Sequence, residues 1–502
     1  MIGHIGNYRE SWKGLAWKQL RKNLFRLQCR LWKAVRAGDT RKARNLQKLI
    51  LKSQSARWLA IRQITQLNTG KKTAGVDGQS SLTFKERFDL AGMLKTEALR
   101  WKHQRLREIP IPKRDGTTRL LKVPTIADRA WQKLVHYALD PAHEATFHAR
   151  SYGFRPGRCA HDAQRVLFLN LSSNKGGRHK RILELDIEKC FDRIRHEKMM
   201  EKLILPQSFK AGIWRCLKAG TTPGFPEQGT PQGGCISPTL ANIALNGIET
   251  IHSSIRYADD MVVILKPKDD AQAILAHIVN FLEDLGLAVN WQKTRVVSAT
   301  DGFDFLGWHF QVQANGKFRG VPCEDNYQTF RRKVKRIVNC SNDGATAKAT
   351  KLAPLVRGWR NYHRYCKLDG SRFSLWRMEH RTWKVFKQEK KLHRYQINDL
   401  VAKAFPKVSY AENRHVNVAG ERSPYDGDSL YWSTRNSKLY HGITASLLRR
   451  QHHACGYCGA KLIGDERIHL HHIDSNHSNW KSQNLMVIHE SCHDYIHMSK
   501  QR

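Results

Sequence analysis

The stretch Ile255-Arg256-Tyr257-Ala258-Asp259-Asp260-Met261-Val262-Val263-Ile264-Leu265 places two adjacent carboxylates between two short β-rich runs. The pattern predicts a hairpin in which Met261 to Leu265 returns into an apolar core. Bringing Asp259 and Asp260 together at the mouth of such a hairpin is unfavourable unless a cation neutralises them. A solvated Asp-Asp turn is the alternative for this stretch alone. The rest of the chain must decide between the two.

A third acid, Asp186, lies near the C-terminal end of a second predicted strand, Arg181 to Ile187. Catalytic groups often emerge at such strand ends. Three acids on neighbouring strands suit two Mg²⁺ ions, roughly 3.5–4 Å apart, that hold the attacking and leaving oxygens of a phosphoryl transfer in line. Mg²⁺ prefers carboxylates combined with substrate phosphate oxygens and waters. Asp186, Asp259 and Asp260 are therefore the predicted metal ligands and catalytic acids.

The charge balance indicates a polyanionic partner. The 502 residues include 86 Lys and Arg against 44 Asp and Glu, a net charge of +42. Nucleic acid fits this excess better than a membrane does, because no basic amphipathic anchor, membrane-spanning run or signal peptide is recognisable. The expected location is a bacterial cytoplasm, at nucleoid DNA, and the sequence does not exclude an organellar host.

A second predicted hairpin runs from Arg107 to Pro124 and turns at Asp115-Gly116. It carries Lys113 and Arg119 on its two arms, where both cations can converge on one triphosphate. An ordinary charged hairpin is the alternative. Phe191, five residues after Asp186, is placed to lie under a nucleotide sugar and exclude a 2′-hydroxyl, and simple core packing is its alternative.

Basic helices are predicted at both ends of this region. Residues 12–66 show apolar side chains at helical spacing with Lys and Arg between them, interrupted at Gly38-Asp39. They fit either a helix pair with a solvated basic face or an RNA-facing extension. Residues 326–395 interleave Arg, Trp and Tyr on predicted helices. That pattern suits a groove for a nucleic-acid backbone, and a bundle that only braces its neighbour is the alternative.

Six motifs occur in order along the chain: SYGFRPG (151–157), LDIEKCFD (185–192), GTPQGG (229–234), YADD (257–260), LGLAVNWQKT (285–294) and FLGW (305–308). With GVDG (75–78) and IPKRDG (111–116), they resemble the reverse transcriptase blocks of group II intron-encoded proteins over nearly the whole chain. The resemblance implies that Asp186, Asp259 and Asp260 bind metal. It also implies a nucleotide-binding set: Lys113 and Arg119 on the triphosphate, Phe191 as sugar gate and Gln232 on the nucleotide.

The C-terminus carries a second set of candidate ligands. Cys455 and Cys458 form a CxxC pair, and His489 and Cys492 offer a second pair at the same spacing. Four such ligands in two pairs predict a structural, tetrahedral Zn²⁺ site.

These four residues, called the metal knuckle below, and the histidines near them resemble an HNH nuclease, a ββα-metal hairpin. His489 stands where many such domains have a second CxxC. The resemblance implies that His472 is the general base, a role suited to a neutral imidazole. It also implies a divalent metal, expected to be Mg²⁺, held by His471 and His493 with His497 as a further ligand. Asn484 would brace the hairpin or join the ligand set. The alternative is a structural zinc module that binds DNA without cutting it.

The resemblance implies an α+β multidomain chain: a right-hand polymerase with fingers, a palm containing an antiparallel sheet and a helical thumb, followed by a small zinc-containing ββα-metal HNH domain. The expected divisions are 1–72, a basic helical RNA-binding extension; 73–325, fingers and palm; 326–395, thumb or maturase domain X; 396–445, a linker and DNA-binding segment; and 446–502, the HNH endonuclease.

The implied function combines RNA-directed DNA polymerase, intron RNA maturase and site-specific DNA endonuclease in retrohoming by target-primed reverse transcription. The implied partners are group II intron RNA, as a lariat ribonucleoprotein, target double-stranded DNA and dNTPs. One alternative is a freestanding reverse transcriptase adopted for a host function such as phage defence, which the thumb and HNH motifs disfavour. The other is an RNA-binding splicing factor only, which the three intact acids disfavour.

Overall fold

A computed structural model describes residues 8–112, 116, 118–220, 227–368, 373–389, 392–440, 442–464 and 466–499. Lys113 and the predicted turn residue Asp115 lie outside these ranges. No helix within them is long and apolar enough to cross a membrane.

The N-terminal helices pack one side of the largest apolar core. Leu24 and Leu31 are buried at helical spacing in it. The predicted interruption falls between two helices, where Gly38 has a φ of +71° and the Asp39 side chain accepts a hydrogen bond from the Lys42 backbone N–H. The helices are α1 (Tyr8–Lys13), α2 (Trp17–Arg36), α3 (Thr40–Lys52), α4 (Gln54–Arg62) and α5 (Phe84–Thr96).

The central region alternates helices with short antiparallel strands. Its elements are β1 (Arg107–Pro112), β2 (Thr118–Val123), α6 (Ile126–Glu144), α7 (Ala160–Leu171), β3 (Arg181–Leu185), α8 (Cys190–Arg193), α9 (His196–Lys202), α10 (Gln207–Ala219), α11 (Ser237–Leu245), β4 (Ser254–Tyr257), β5 (Asp260–Leu265), α12 (Ala271–Asp284), β6 (Arg295–Ser298), β7 (Phe303–Phe305), β8 (Trp308–Val312) and β9 (Phe318–Pro322). Strands β1 and β2 form the second predicted hairpin.

The palm sheet has strand order β4-β5-β3-β6, and all its pairs are antiparallel. Alternate residues of β5 enter two different cores. Met261, Val263 and Leu265 join the core shared with the N-terminal helices, whereas Val262 and Ile264 join a core with the β7-β8-β9 sheet. Since both faces are covered, the ends of these strands are held rigidly.

A separate helical region follows the palm. Its apolar core begins at Tyr327 and continues to Phe405, past the expected division at residue 395, because the last helix packs against the same core. The helices are α13 (Glu324–Val338), α14 (Ala345–Tyr362), α15 (Trp376–Lys387) and α16 (Arg394–Ala404).

The segment expected to be a linker is fastened to the palm. Buried Asp162 on α7 accepts hydrogen bonds from the His415 ring, the Val418 backbone N–H and the Arg435 guanidinium. Trp432 is fully buried. These anchors make residues 411–437 an integral strap rather than a free connection. The remaining elements are α17 (Ser429–Ser437), α18 (Gly442–Arg450), β10 (Ile468–His472), β11 (Leu485–His489) and α19 (Glu490–Ser499).

Candidate functional site

The predicted acidic hairpin forms between β4 and β5. Tyr257 pairs with Asp260, so Ala258 and Asp259 make the turn, and Ala258 has a φ of +59°. The loop at residues 151–157 presses against this turn: a Cβ placed on Gly153 would lie 2.4 Å from the Ala258 backbone nitrogen. Only a glycine fits there. The turn that carries Asp259 is thus fixed from outside as well as by its own strands.

Arg256 supports the same turn from beneath, a role that the sequence did not reveal. Its side chain is fully buried and paired with Glu249 at 2.6 Å. The guanidinium also donates to the Ala258 carbonyl at 2.9 Å, and it bonds the side chains of Asn242 and Ser151. The sequence sign of this role was a charged residue at a buried strand position, between Ile255 and half-buried Tyr257, where it needs a buried partner.

The third acid lies on the neighbouring strand. Leu185, the last residue of β3, pairs with Met261, so Asp186 follows β3 beside the Asp260 end of β5. Lys293 Nζ lies 3.6 Å from an Asp186 carboxylate oxygen. Asp186 and Asp260 line a cleft of about 490 Å³.

The electrostatics of the acids indicate one shared site. Desolvation, together with the charges of Asp259 and Asp186, raises the pKa of Asp260 to about 6, even though the residue as a whole is exposed. Desolvation and the Asp186 charge also raise the pKa of Asp259. The three carboxylates are not among the described groups whose ligand atoms all lie within 4.8 Å of one another. Mutually repelling carboxylates are a donor set that fits a divalent cation.

Two of the four residues predicted to contact the nucleotide, Arg119 and Gln232, are in direct contact with each other. Arg119 on β2 donates to the Gln232 side-chain oxygen, and the Gln232 amide donates to Asp192 at 3.3 Å. The Arg119 charge also acts on Asp259, where it lowers a pKa that desolvation raises. Half-buried Phe191 packs against the main core beside Asp192. Arg119 and Gln232 thus lie together, Phe191 neighbours the Asp192 that Gln232 bonds, and Lys113 is outside the described residues.

The arginines of the loop at 151–157 and just after it are structural. Buried Arg155 pairs with Glu144 at 2.7 Å, and buried Arg158 donates to the carbonyls of Ala149 and Gly420. Phe154 is the exposed aromatic of this loop, at 56%.

At the C-terminus the two predicted ligand pairs come together. Cys455, Cys458, His489 and Cys492 bring one ligand atom each within 4.8 Å of the others. A hydrogen bond from the Cys492 thiol lowers the pKa of the Cys455 thiol. Three sulfurs and one imidazole around a common point are a donor set that fits structural Zn²⁺.

Strands β10 and β11 pair antiparallel and lead into α19, a ββα unit. His471 on β10 and His493 and His497 on α19 form a second cluster within 4.8 Å. Burial and the neighbouring His469, His497 and His471 lower the pKa of His493 to about 4. This imidazole is therefore neutral near pH 7 and available to a divalent metal.

His472 and Asn484 lie outside that cluster. His472 is buried between the rings of His477 and Trp480, and its Nε2 atom has no hydrogen-bond partner among the described residues. The Asn484 amide donates to Asp474 at 2.8 Å and to the Asn479 carbonyl at 2.9 Å. In this structure Asn484 braces the connection between β10 and β11.

The helical region after the palm presents a basic groove of about 780 Å³ between α13 and α15. Trp376 is 64% exposed and stacks on His380, with 5.3 Å between ring centroids. Cations and stacked rings of this kind suit a nucleic-acid backbone. The cations of the groove are Arg331, Arg332, Lys335, Arg377, Arg381 and Lys384.

Three segments match described protein families. Residues 12–94 match the N-terminal domain of reverse transcriptase, residues 111–310 match reverse transcriptase (RNA-dependent DNA polymerase), and residues 327–398 match the group II intron, maturase-specific domain. Together these segments extend from the N-terminal helices to α16.

Similar proteins come from several organisms. Maturase-like protein 1 of Euglena gracilis is 38% identical over 396 residues, covering 78% of this chain and 86% of that protein. Protein YkfC of Escherichia coli strain K12 is 32% identical, covering 52% and 82%. Group II intron-encoded protein LtrA of Lactococcus lactis subsp. cremoris is 29% identical, covering 43% and 48%.

Proposed function

This chain belongs to the family of group II intron reverse transcriptases and maturases, and we propose that it catalyses two different reactions on nucleic acid. The first is RNA-directed DNA synthesis, the activity of the family, which we assign to Asp186, Asp259 and Asp260. The second is DNA nicking by the C-terminal ββα unit. The observation that carries the first assignment is the convergence of β3 and the β4-β5 turn on one acidic cleft.

In the polymerase site, the three carboxylates would hold two Mg²⁺ ions. When bound, these supply charge stabilisation and alignment for attack of a primer 3′-hydroxyl on the nucleotide α-phosphate. The protein's part is to keep the carboxylates in place, which the buried Arg256 and the Gly153 contact support. Preorganised groups lose little energy to reorganisation during the reaction.

The incoming nucleotide would lie beside the acids. Arg119 and Lys113 would neutralise its triphosphate, and Gln232, already bonded to Arg119, would orient it. Phe191 would lie under the sugar and exclude a 2′-hydroxyl. Its half-buried ring, one residue from the Asp192 that bonds Gln232, supports this placement.

The maturase-specific region would bind intron RNA. The groove between α13 and α15 offers positive charge, and the exposed indole of Trp376 stacks on His380, one of the residues that line it. Cations and exposed rings favour an RNA backbone. We propose that the N-terminal helices add RNA contacts and that the protein and its intron lariat form a ribonucleoprotein.

In the C-terminal unit, His472 would accept the proton of the attacking water. Its Nε2 atom has no hydrogen-bond partner among the described residues, and because the atom is buried in this structure the role requires that water reach it when DNA binds. His471, His493 and His497 would hold one divalent ion, which when bound stabilises the scissile phosphate and the leaving oxygen. Zn²⁺ on Cys455, Cys458, His489 and Cys492 would staple the unit.

The two chemistries fit a single sequence of events. Intron RNA reverse splices into one DNA strand, the nuclease nicks the other strand, and the new 3′-hydroxyl primes synthesis of the DNA copy. This is retrohoming by target-primed reverse transcription.

Primer extension on an RNA template with Mg²⁺ tests the polymerase assignment. Asp259→Ala should reduce extension by at least about 100-fold, the scale of losing one preorganised electrostatic group. Asp301→Ala, an exposed acid of the β6–β7 turn, is the matched control and should extend normally. Equal activity of Asp259→Ala and wild type would contradict the metal assignment.

A further inference from the structure

The N-terminal helices directly contact the C-terminal module, which is the ββα unit of β10, β11 and α19 together with the metal knuckle. Arg21 on α2 lies 3.5 Å from Glu466, and Arg62 at the end of α4 lies 2.9 Å from Asp494. Lys18 Nζ lies 3.4 Å from the carbonyl oxygen of Cys458 in the metal knuckle. Residues more than four hundred positions apart in the chain therefore share one interface.

Two of these contacts act on α19, the helix that carries His493 and His497. The Glu466 carboxylate accepts hydrogen bonds from the Ser491 backbone N–H and hydroxyl, at 3.1 and 3.0 Å, and so binds the first turn of the helix. Asp494 lies about one turn later. Through Arg21 and Arg62, the N-terminal helices hold α19 on both sides of His493.

Arg62 has the properties of a fixed contact. It is 5% exposed, and its guanidinium lies 4.6 Å from the centroid of the Trp17 ring. Desolvation lowers its pKa, and the charge of Asp494 opposes that change. A buried arginine held between a ring and a carboxylate has little freedom, so it fixes the carboxylate in turn.

The same contact borders a cleft of about 500 Å³. Lys13, Phe84 and Arg62 line it on the N-terminal side, and Asp494 and His497 line it on the other. One histidine of the candidate metal cluster therefore faces a cleft that the N-terminal helices complete.

We propose that Arg62 is a positioning residue for the C-terminal histidine site, acting through Asp494 on the helix that carries His493 and His497. The proposal rests on the nuclease function proposed above. It gives Arg21 and Arg62 a role at the module, while the exposed Lys22, Arg26 and Arg30 of α2 remain available to RNA.

Nicking by the full-length protein tests this role. Arg62→Met should reduce nicking of a DNA duplex by about ten-fold, the lower end of the loss seen when a group that orients metal ligands is removed. Primer extension should be unchanged. The exchange Arg62→Asp with Asp494→Arg should restore nicking. Arg57→Met on the same helix, where Arg57 bonds the Lys52 carbonyl, is the control. Normal nicking by Arg62→Met would overturn the proposal.

Cobalt binding separates this proposal from the nuclease proposal. With Zn²⁺ in the cysteine site, Co²⁺ titrated into the histidine site is followed by its visible absorption. Arg62→Met and, should that variant misfold, Asp494→Asn should bind Co²⁺ about ten-fold more weakly than wild type. Equal affinities would overturn the positioning role. If wild type cuts no duplex, the nuclease function is wrong, and weaker Co²⁺ binding by the variants would still support the role of Arg62.

Discussion

The palm holds Asp186, Asp259 and Asp260 at the ends of strands whose two faces are buried in large cores, whereas the C-terminal module holds its ligands on one hairpin and one helix. Among the described residues, eight buried ones form the core of that module, and they include the candidate ligands Cys455 and Cys492. Apolar burial alone can therefore shape the palm without metal, whereas in a module this small the proposed zinc site would contribute much of the folding free energy. Under the proposed function, one catalytic region is folded before it binds metal and the other is completed by metal.

The largest expected difference between the two regions follows from removing a ligand of the metal knuckle. Cys492→Ser removes one ligand of a site whose binding energy, about 10–16 kcal/mol for structural zinc, is folding energy. The C-terminal module should become sensitive to protease and nicking should disappear, while primer extension persists. Limited proteolysis with mass spectrometry measures this, and Cys340→Ser, outside the ligand cluster, is the control. Resistance of the Cys492→Ser module would show that it folds without metal.

In the palm, the largest loss of stability should come from leaving a buried charge without its partner. Arg256→Met leaves Glu249 buried without its partner, which should lower the free energy of unfolding by about 3–5 kcal/mol. Primer extension should fall more than nicking, because the Ala258 carbonyl loses its donor. Urea unfolding measures the first effect. Arg295→Met breaks an exposed pair with Glu184 and should cost about 1 kcal/mol or less. Equal losses in both variants would contradict the role of Arg256.

The nucleotide side of the palm gives a smaller, selective effect. Phe191→Ala should open space at the sugar and lower the preference for dNTPs over rNTPs, as a ratio of kcat/KM, by about ten-fold. Phe281→Ala is the matched control, since Phe281 is also partly buried against the same core. A preference that changes equally in both variants would assign Phe191 to packing alone.

The smallest predicted effect is on pH dependence. The folded-state pKa of Asp260 is raised to about 6, so the folded protein keeps this proton between pH 4 and 6 while the unfolded chain releases it. This group therefore lowers stability as pH rises through 6. Without Mg²⁺, Asp260→Asn should have a higher Tm than wild type at pH 8, and the difference should shrink as pH falls below 6 and vanish below about pH 4. A difference independent of pH would contradict the shared acidic site.

The hairpin between β4 and β5 was predictable because a short stretch with a strong local pattern carries it. The residues of the two C-terminal groups, apart from Asn484, also lie together as their spacing indicated, and their roles as ligands, like those of the three acids, stay predictions. Contacts between distant residues were not predictable in this way. The Arg256–Glu249 pair, the Asp162 anchor of residues 411–437 and the Arg62–Asp494 contact all depend on tertiary packing. Of these three contacts, only the first has a local sequence sign, which is the charged Arg256 within a buried strand.

The most direct test of two chemistries in one chain is a target-primed reaction with the intron ribonucleoprotein on double-stranded DNA, comparing wild type, Asp259→Ala and His472→Ala. We predict that Asp259→Ala nicks the DNA but makes no copy. His472→Ala should make no copy on intact DNA and should recover full synthesis when the strand is nicked beforehand. Failure of the nicked substrate to rescue His472→Ala, or copying by Asp259→Ala, would contradict the account.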